Sequence, residues 1–192
     1  MSRANFRIVR AVDASSHPPG VAEPASPAEM SLVEAPLPSL LQLLIATPIA
    51  VLLHELAHAG MALALTRGKV LVVVGYGPGM KLHLGRLNLH LSPLAASGCT
   101  VHRATRESGD RAIIAAAGPI ASLLLAVIGW RVSEALAGSH LFLAGLFAAL
   151  GAASLLITAL TAFPVRYPAA VAIGHDRDSD GLTVLRALKR TR

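Results

Sequence analysis

Charge is scarce in this sequence: Asp, Glu, Lys and Arg together make up 15% of its 192 residues, against about 25% in a soluble globular domain. Aromatic residues reach only 4%, while 54% of the chain is hydrophobic. That apolar content is aliphatic and suited to lipid, which excludes an ordinary water-soluble enzyme and a disordered chain alike. Cysteine is nearly absent. Cys99 stands alone, so no internal disulfide and no disulfide scaffold is possible. No apolar stretch resembling a signal peptide occurs in residues 1–36, which are rich in Pro, Ala, Ser and Glu and read as a disordered tail. The formal net charge of +6 sits in connecting segments beside long apolar runs. This points to a membrane surface and away from nucleic acid.

Long apolar sequence is what the chain has in excess. Three runs reach the roughly 20 residues that a helix needs to cross a bilayer. The first is uncharged from Ala35 to Leu53 and continues to Leu65, interrupted by His54, Glu55 and His58. The second runs from Ala112 to Trp130, and the third from Ala135 to Val165, where Phe163-Pro164 would break a helix. Transmembrane helices are expected over about 37–66, 111–131 and 140–163. Between the first two, Val70–Tyr76, Met80–Leu84 and Leu87–Leu91 carry β-branched blocks or alternating leucines bounded by Gly77-Pro78-Gly79 and Gly85-Arg86. They predict two or three strands over about 70–91. The fold class is therefore an all-α polytopic membrane protein, with three transmembrane helices and a small antiparallel β-sheet between the first and second. A C-terminal segment, 164–192, ends in a basic amphipathic helix.

Lys and Arg set the orientation, because the cytoplasmic side collects them. Arg67, Lys69, Lys81, Arg86, Arg103, Arg106 and Arg111 lie between spans one and two, and six more basic residues follow span three; only Arg131 lies between spans two and three. The N-terminus is expected outside and the C-terminus in the cytoplasm, in a multi-pass protein of a prokaryotic plasma membrane.

Within the first span stands His54-Glu55-Leu56-Ala57-His58, an HExxH pattern. Residues i and i+4 share a helix face, so both imidazoles can reach one zinc ion, with Glu55 beside the first ligand able to take a proton from water. Composition alone would produce this pattern roughly 0.01 times in such a chain. Ionisable side chains inside a spanning helix are costly and usually functional, so the three call for a shared partner. A hydrolytic zinc site needs a third protein ligand. His140 falls on the outer side, whereas His83 and His90 alternate with leucines as the wet face of the sheet, and His102 follows them. His175-Asp176-Arg177-Asp178-Ser179-Asp180-Gly181 follows the break in span three on the inner side. Position favours this cluster, and spacing leaves its three carboxylates open. Its alternative is a solvated turn capping a helix from Leu182 to Lys189.

An HExxH in a spanning helix, Ala117-Gly118-Pro119-Ile120-Ala121-Ser122 in the second span and Asp180-Gly181 after a proline-broken helix together resemble the site-2 proteases, intramembrane zinc metalloproteases. The likeness covers residues 37–188. It implies a three-helix core, Asp180 as third ligand beside His54 and His58, Glu55 as catalytic base, Zn2+ as cofactor and transmembrane proteins as substrates. Thr161 stands where the family commonly has a substrate-positioning asparagine, and Ser179 where a leucine is usual; no PDZ domain lies between spans two and three. These departures leave open a non-catalytic zinc-binding membrane protein of the same fold, acting as a regulatory or binding partner. A metal transporter is disfavoured, because spans two and three carry too few polar residues to form a path.

Overall fold

A computed structural model describes residues 38–103, 107–168 and 178–190. The expected tail, His175 and Asp176 lie outside these residues. Among the described residues four helices and four strands follow in the order α1 (Leu40–Leu65), β1 (Val70–Tyr76), β2 (Met80–Leu84), β3 (Leu87–Leu91), β4 (Leu94–His102), α2 (Ser108–Leu136), α3 (Leu141–Ala162) and α4 (Asp180–Lys189). Helices α1, α2 and α3 are long and apolar enough to cross a membrane.

Their limits follow from local chemistry. Ser39 and Gln42 form a capping box in which Gln42 N donates to Ser39 Oγ at 3.3 Å and Ser39 N donates to Gln42 Oε1 at 2.6 Å. This starts α1 at Leu40, later than the apolar run suggests. The Gln42 amide also donates to Phe142 O at 2.9 Å, fastening the start of α1 to that of α3. α2 extends past its apolar run at both ends because its terminal turns carry their charges into solvent, as in the Arg131–Glu134 ion pair at 2.7 Å.

The three long helices are small inside and large outside. Ala46, Ala50, Ala144, Ala149, Ser122 and Ser154 are buried, while Leu40, Leu124 and Leu156 are exposed. Small residues let helix backbones approach where lipid offers no hydrophobic drive for association. At the α2–α3 crossing a Cβ on Gly129 would lie 2.8 Å from Phe147 O and 2.9 Å from Gly151 N.

The sheet differs from expectation. It has four strands in the order β2-β3-β1-β4 and is mixed: β1 pairs parallel with β3 and antiparallel with β4, and β2 pairs antiparallel with β3. The β2–β3 hairpin turns through Gly85-Arg86, with Leu84 opposite Leu87 and Gly85 at φ +62°. A two-residue turn keeps the leucines of both strands on one face, so the reversal of phase in the sequence is a hairpin. Gly77-Pro78-Gly79 then explains the parallel pair, because it carries the chain past the place beside β1 and leaves that place for β3. Gly77 adopts φ +89°, and a side chain on Gly79 would strike the Leu91 carbonyl. Val70, Val72, Val74 and Leu89 pack with Val51, Ala59 and Ala62 of α1 and with Ile114 of α2. β4 escaped the sequence reading because Leu94-Ala95-Ala96-Ser97-Gly98 neither alternates nor is β-branched.

Gly129→Val should force α2 and α3 apart and cost about 1–3 kcal/mol, whereas Gly138→Ala, with nothing within 4 Å of the added carbon, should be neutral. Thermal unfolding of the detergent-solubilised protein should give a lower midpoint for the first variant alone.

Candidate metal centre

One face of α1 and the first residue of α4 build the site. His54 Nε2 and His58 Nε2 lie 3.2 Å apart, one helical turn from each other, and each is 3.3 Å from Asp180 Oδ2. Both histidines are buried. Four bonds of 2.0–2.1 Å in a tetrahedron place ligand atoms about 3.3 Å apart, so this triangle has the edge lengths of a small tetrahedral ion with N and O donors. His54, His58 and Asp180 are a group able to hold a metal ion.

The remaining ring nitrogens fix the orientation. His58 Nδ1–H donates to Ile114 O at 2.7 Å, which directs the lone pair of the neutral ring to Nε2. His54 Nδ1 meets Ser122 Oγ at 2.9 Å, and the same tautomer results when it donates there. Three electron-rich atoms then face one another and repel unless a cation lies among them. α2 comes close enough to supply both partners because residue 118 is glycine: a side chain there would collide with the His58 and His54 rings. Pro119, one residue on, withholds an N–H from Ala115 O, next to the carbonyl that accepts from His58.

Asp180 is held by a buried knot. The Ser179 hydroxyl donates to Phe163 O at 2.6 Å and accepts from Val165 N at 3.1 Å and Leu182 N at 3.2 Å. One side chain thus caps α4 and ties it to the end of α3. Gly181 is required by the same contact, since a Cβ there would strike the Ala162 carbonyl. Asp178 points elsewhere. It pairs with Arg186 and, at 3.9 Å, with Arg166.

Glu55 is buried at the α1–β4 contact, where the Thr100 hydroxyl lies 2.8 Å from Glu55 Oε2 and 3.0 Å from Glu55 O. A side chain on Gly98 would press on Glu55 Cγ and on Val51. The small residues that hid β4 from the sequence reading are what lets its backbone lie over this carboxylate.

The Thr161 hydroxyl donates to Ile157 O of its own helix at 2.9 Å. His83 is exposed on β2, His102 Nδ1 bonds Arg103 O, and exposed His140 precedes α3. Gly98 and Thr100 were missed; the sequence marks Gly118 and Ser122 as small residues that let the second span approach the first, and does not mark their part in orienting the imidazoles. Gly118 and Ser122 carried a usable signal, being four apart on one face of a helix otherwise poor in polar side chains. Tyr167 was also missed; its hydroxyl donates to Leu160 O at 2.8 Å, and burial together with the Asp180 charge raises its phenol above the ordinary value.

No known family model matches the chain, and no curated protein matches it.

Gly118→Ala should displace the imidazoles and lower the metal content of the purified protein, measured by elemental analysis. Gly60→Ala on α1, where the added methyl meets nothing, should leave it intact. Ser179→Ala should cost about 1 kcal/mol of stability through the lost cap and weaken metal binding in a chelator competition, while Ser179→Thr restores both.

Proposed function

We propose that this chain is an intramembrane zinc metalloprotease of the site-2 protease kind, hydrolysing peptide bonds within or near the transmembrane segments of other membrane proteins. The observation that carries the reading is the convergence of His54 Nε2, His58 Nε2 and Asp180 Oδ2 within 3.3 Å of one another, with Glu55 adjacent in sequence to the first donor, inside an apolar helix. Two nitrogen donors and one carboxylate oxygen are a ligand set that zinc takes in hydrolytic sites, leaving a fourth position open. A zinc ion bound there would supply Lewis-acid activation of a carbonyl and of water.

The chain's own residues do the rest. Glu55, steadied by Thr100, accepts a proton from the attacking water and delivers it to the departing amine. The substrate carbonyl must be freed from its helical hydrogen bond before attack, so the target segment unwinds near the site. Val70–Tyr76 and Leu87–Leu91, the strands with the clearest apolar pattern, do not offer a free edge to hold it extended. Both are inner strands of the sheet. The terminal strand beside Glu55 is β4, and strand addition along it would lay an extended segment next to the base. In the expected orientation, outside N-terminus and cytoplasmic C-terminus, the donor triangle faces the inner half of the bilayer.

One observation favours a second reading, a zinc-binding member of the same fold that binds membrane partners without cleaving them. The Thr161 hydroxyl spends its one hydrogen on Ile157 O, which leaves no free donor from this side chain where the family has its substrate-positioning amide.

The purified protein should contain about one zinc per chain, and His54→Ala, His58→Ala or Asp180→Ala should each remove most of it, with Asp178→Ala as control. Glu55→Gln separates the two readings. It should keep zinc and still associate with a transmembrane substrate, while cleavage of a reconstituted transmembrane peptide falls by roughly 10²-fold or more. A wild type that holds zinc, cleaves nothing and matches Glu55→Gln in every assay would establish the non-catalytic reading.

A further inference from the structure

Helix α4 is unlike the other three. It is short, follows the third span and carries both exposed leucines and basic residues: Leu185 and Leu188 are 43% and 53% exposed, and Arg186, Lys189 and Arg190 are exposed beside them. Leucines at 182, 185 and 188 recur every third residue and fall along one side of the helix, with Lys189 beside Leu185 on that side and Arg186 and Arg190 on its flank. In solution such a side would be an unexplained apolar strip.

Two attachments fix its depth. At its start, the Ser179 hydroxyl donates to Phe163 O, directly after the last residue of α3. Along its length α4 packs on α2. Where the two meet, Thr183, Arg186 and Arg190 line a cavity of about 350 Å³ with Ser108 and Arg111 from the first turn of α2. Immediately after Arg111 the uncharged part of α2 begins. α4 therefore runs between the ends of two spans, at the level where hydrocarbon gives way to headgroups. Arg190 makes no ion pair among the described residues, and the cavity wall holds three arginines against Glu107 and Asp178.

From this placement we infer that α4 is an interfacial helix that seats on anionic phospholipid, its leucines entering the acyl boundary and Lys189 and Arg190 taking headgroup phosphates. An amphipathic helix with a basic flank binds a bilayer by this combination of buried apolar area and surface charge. Asp180 is the first residue of the same helix, so seating α4 also holds the third donor against His54 and His58. That link to the metal rests on the function proposed above; the seating does not.

The test uses the full chain in a Cys99→Ser background, with an environment-sensitive fluorophore on Leu185→Cys, reconstituted into vesicles of phosphatidylcholine alone or with phosphatidylglycerol. Lipid spin-labelled near the headgroup is the quencher, and a label on Leu156→Cys, on the outer face of α3, reports correct insertion. The Leu185 probe should be quenched with phosphatidylglycerol present and less so without it or in high salt. Lys189→Gln with Arg190→Gln should lower the ratio of seated to unseated helix by about fivefold per charge removed, with Leu156 unaffected. An unquenched Leu185 beside a quenched Leu156, or equal quenching in both lipids, would overturn the inference. So would displacement by inorganic phosphate beyond that by chloride at equal ionic strength, which would assign Lys189 and Arg190 to a soluble anion. Zinc measured in the same vesicles keeps the two proposals apart. Tighter zinc binding with phosphatidylglycerol supports the link to Asp180, whereas quenching without any zinc refutes the protease reading and leaves the seating standing.

Discussion

Two imidazoles and a carboxylate stand in the middle of a helix that is otherwise apolar, and the cost of burying them unpaired governs the architecture around them. Each is met by a group from another element. α2 gives the Ile114 carbonyl and the Ser122 hydroxyl to the histidines, β4 gives Thr100 to Glu55, and α4 gives Asp180 to both rings. These partners come from three separate elements, one of them at the far end of the chain. The polar triad of α1 thus acts as the registration mark against which the second helix, the sheet and the C-terminal helix are set.

Close approach is the means by which the partners reach it. Gly118, Gly98, Gly145 and Gly181 each stand where a side chain would collide with a polar group of a neighbouring element: the histidine rings, Glu55, the Gln42 amide and the Ala162 carbonyl respectively. In water, burial of large apolar side chains would supply most of the packing energy. Here the large side chains face outward, and contact between helices depends on backbones lying near enough for dispersion and a few buried hydrogen bonds to act. The glycines belong to the site as much as its ligands do.

What was legible in the sequence follows from the same contrast. The spans could be read because their apolar runs are continuous, and the HExxH because i and i+4 spacing is local to one helix. The inner-side acidic cluster was found by position, but its three carboxylates look alike on paper. Only the Ser179 knot and the Arg166 and Arg186 pairs separate Asp180 from Asp178. The mixed sheet was hidden because strand order depends on how far Gly77-Pro78-Gly79 carries the chain, which no alternation pattern encodes. β4 was hidden for a related reason, since small residues announce proximity without naming the neighbour; on α2 the spacing of Gly118 and Ser122 signals approach to α1 but not the bond that Ser122 makes to His54. Ser179, where leucine would be expected from the family resemblance, was read as a departure, yet its hydroxyl makes three of the hydrogen bonds that hold the turn in place.

The donor triangle draws on both ends of the folded core, with His54 and His58 in α1 and Asp180 in α4. A ribosome releases α1 into the membrane long before it has made Asp180. During that interval the two histidines have no carboxylate, and the site can form only after both later spans have been inserted and α4 has turned back against the bundle. A complete set of donors is thereby withheld from every nascent or truncated chain that lacks α4. The order of translation itself decides when the donor triangle can exist.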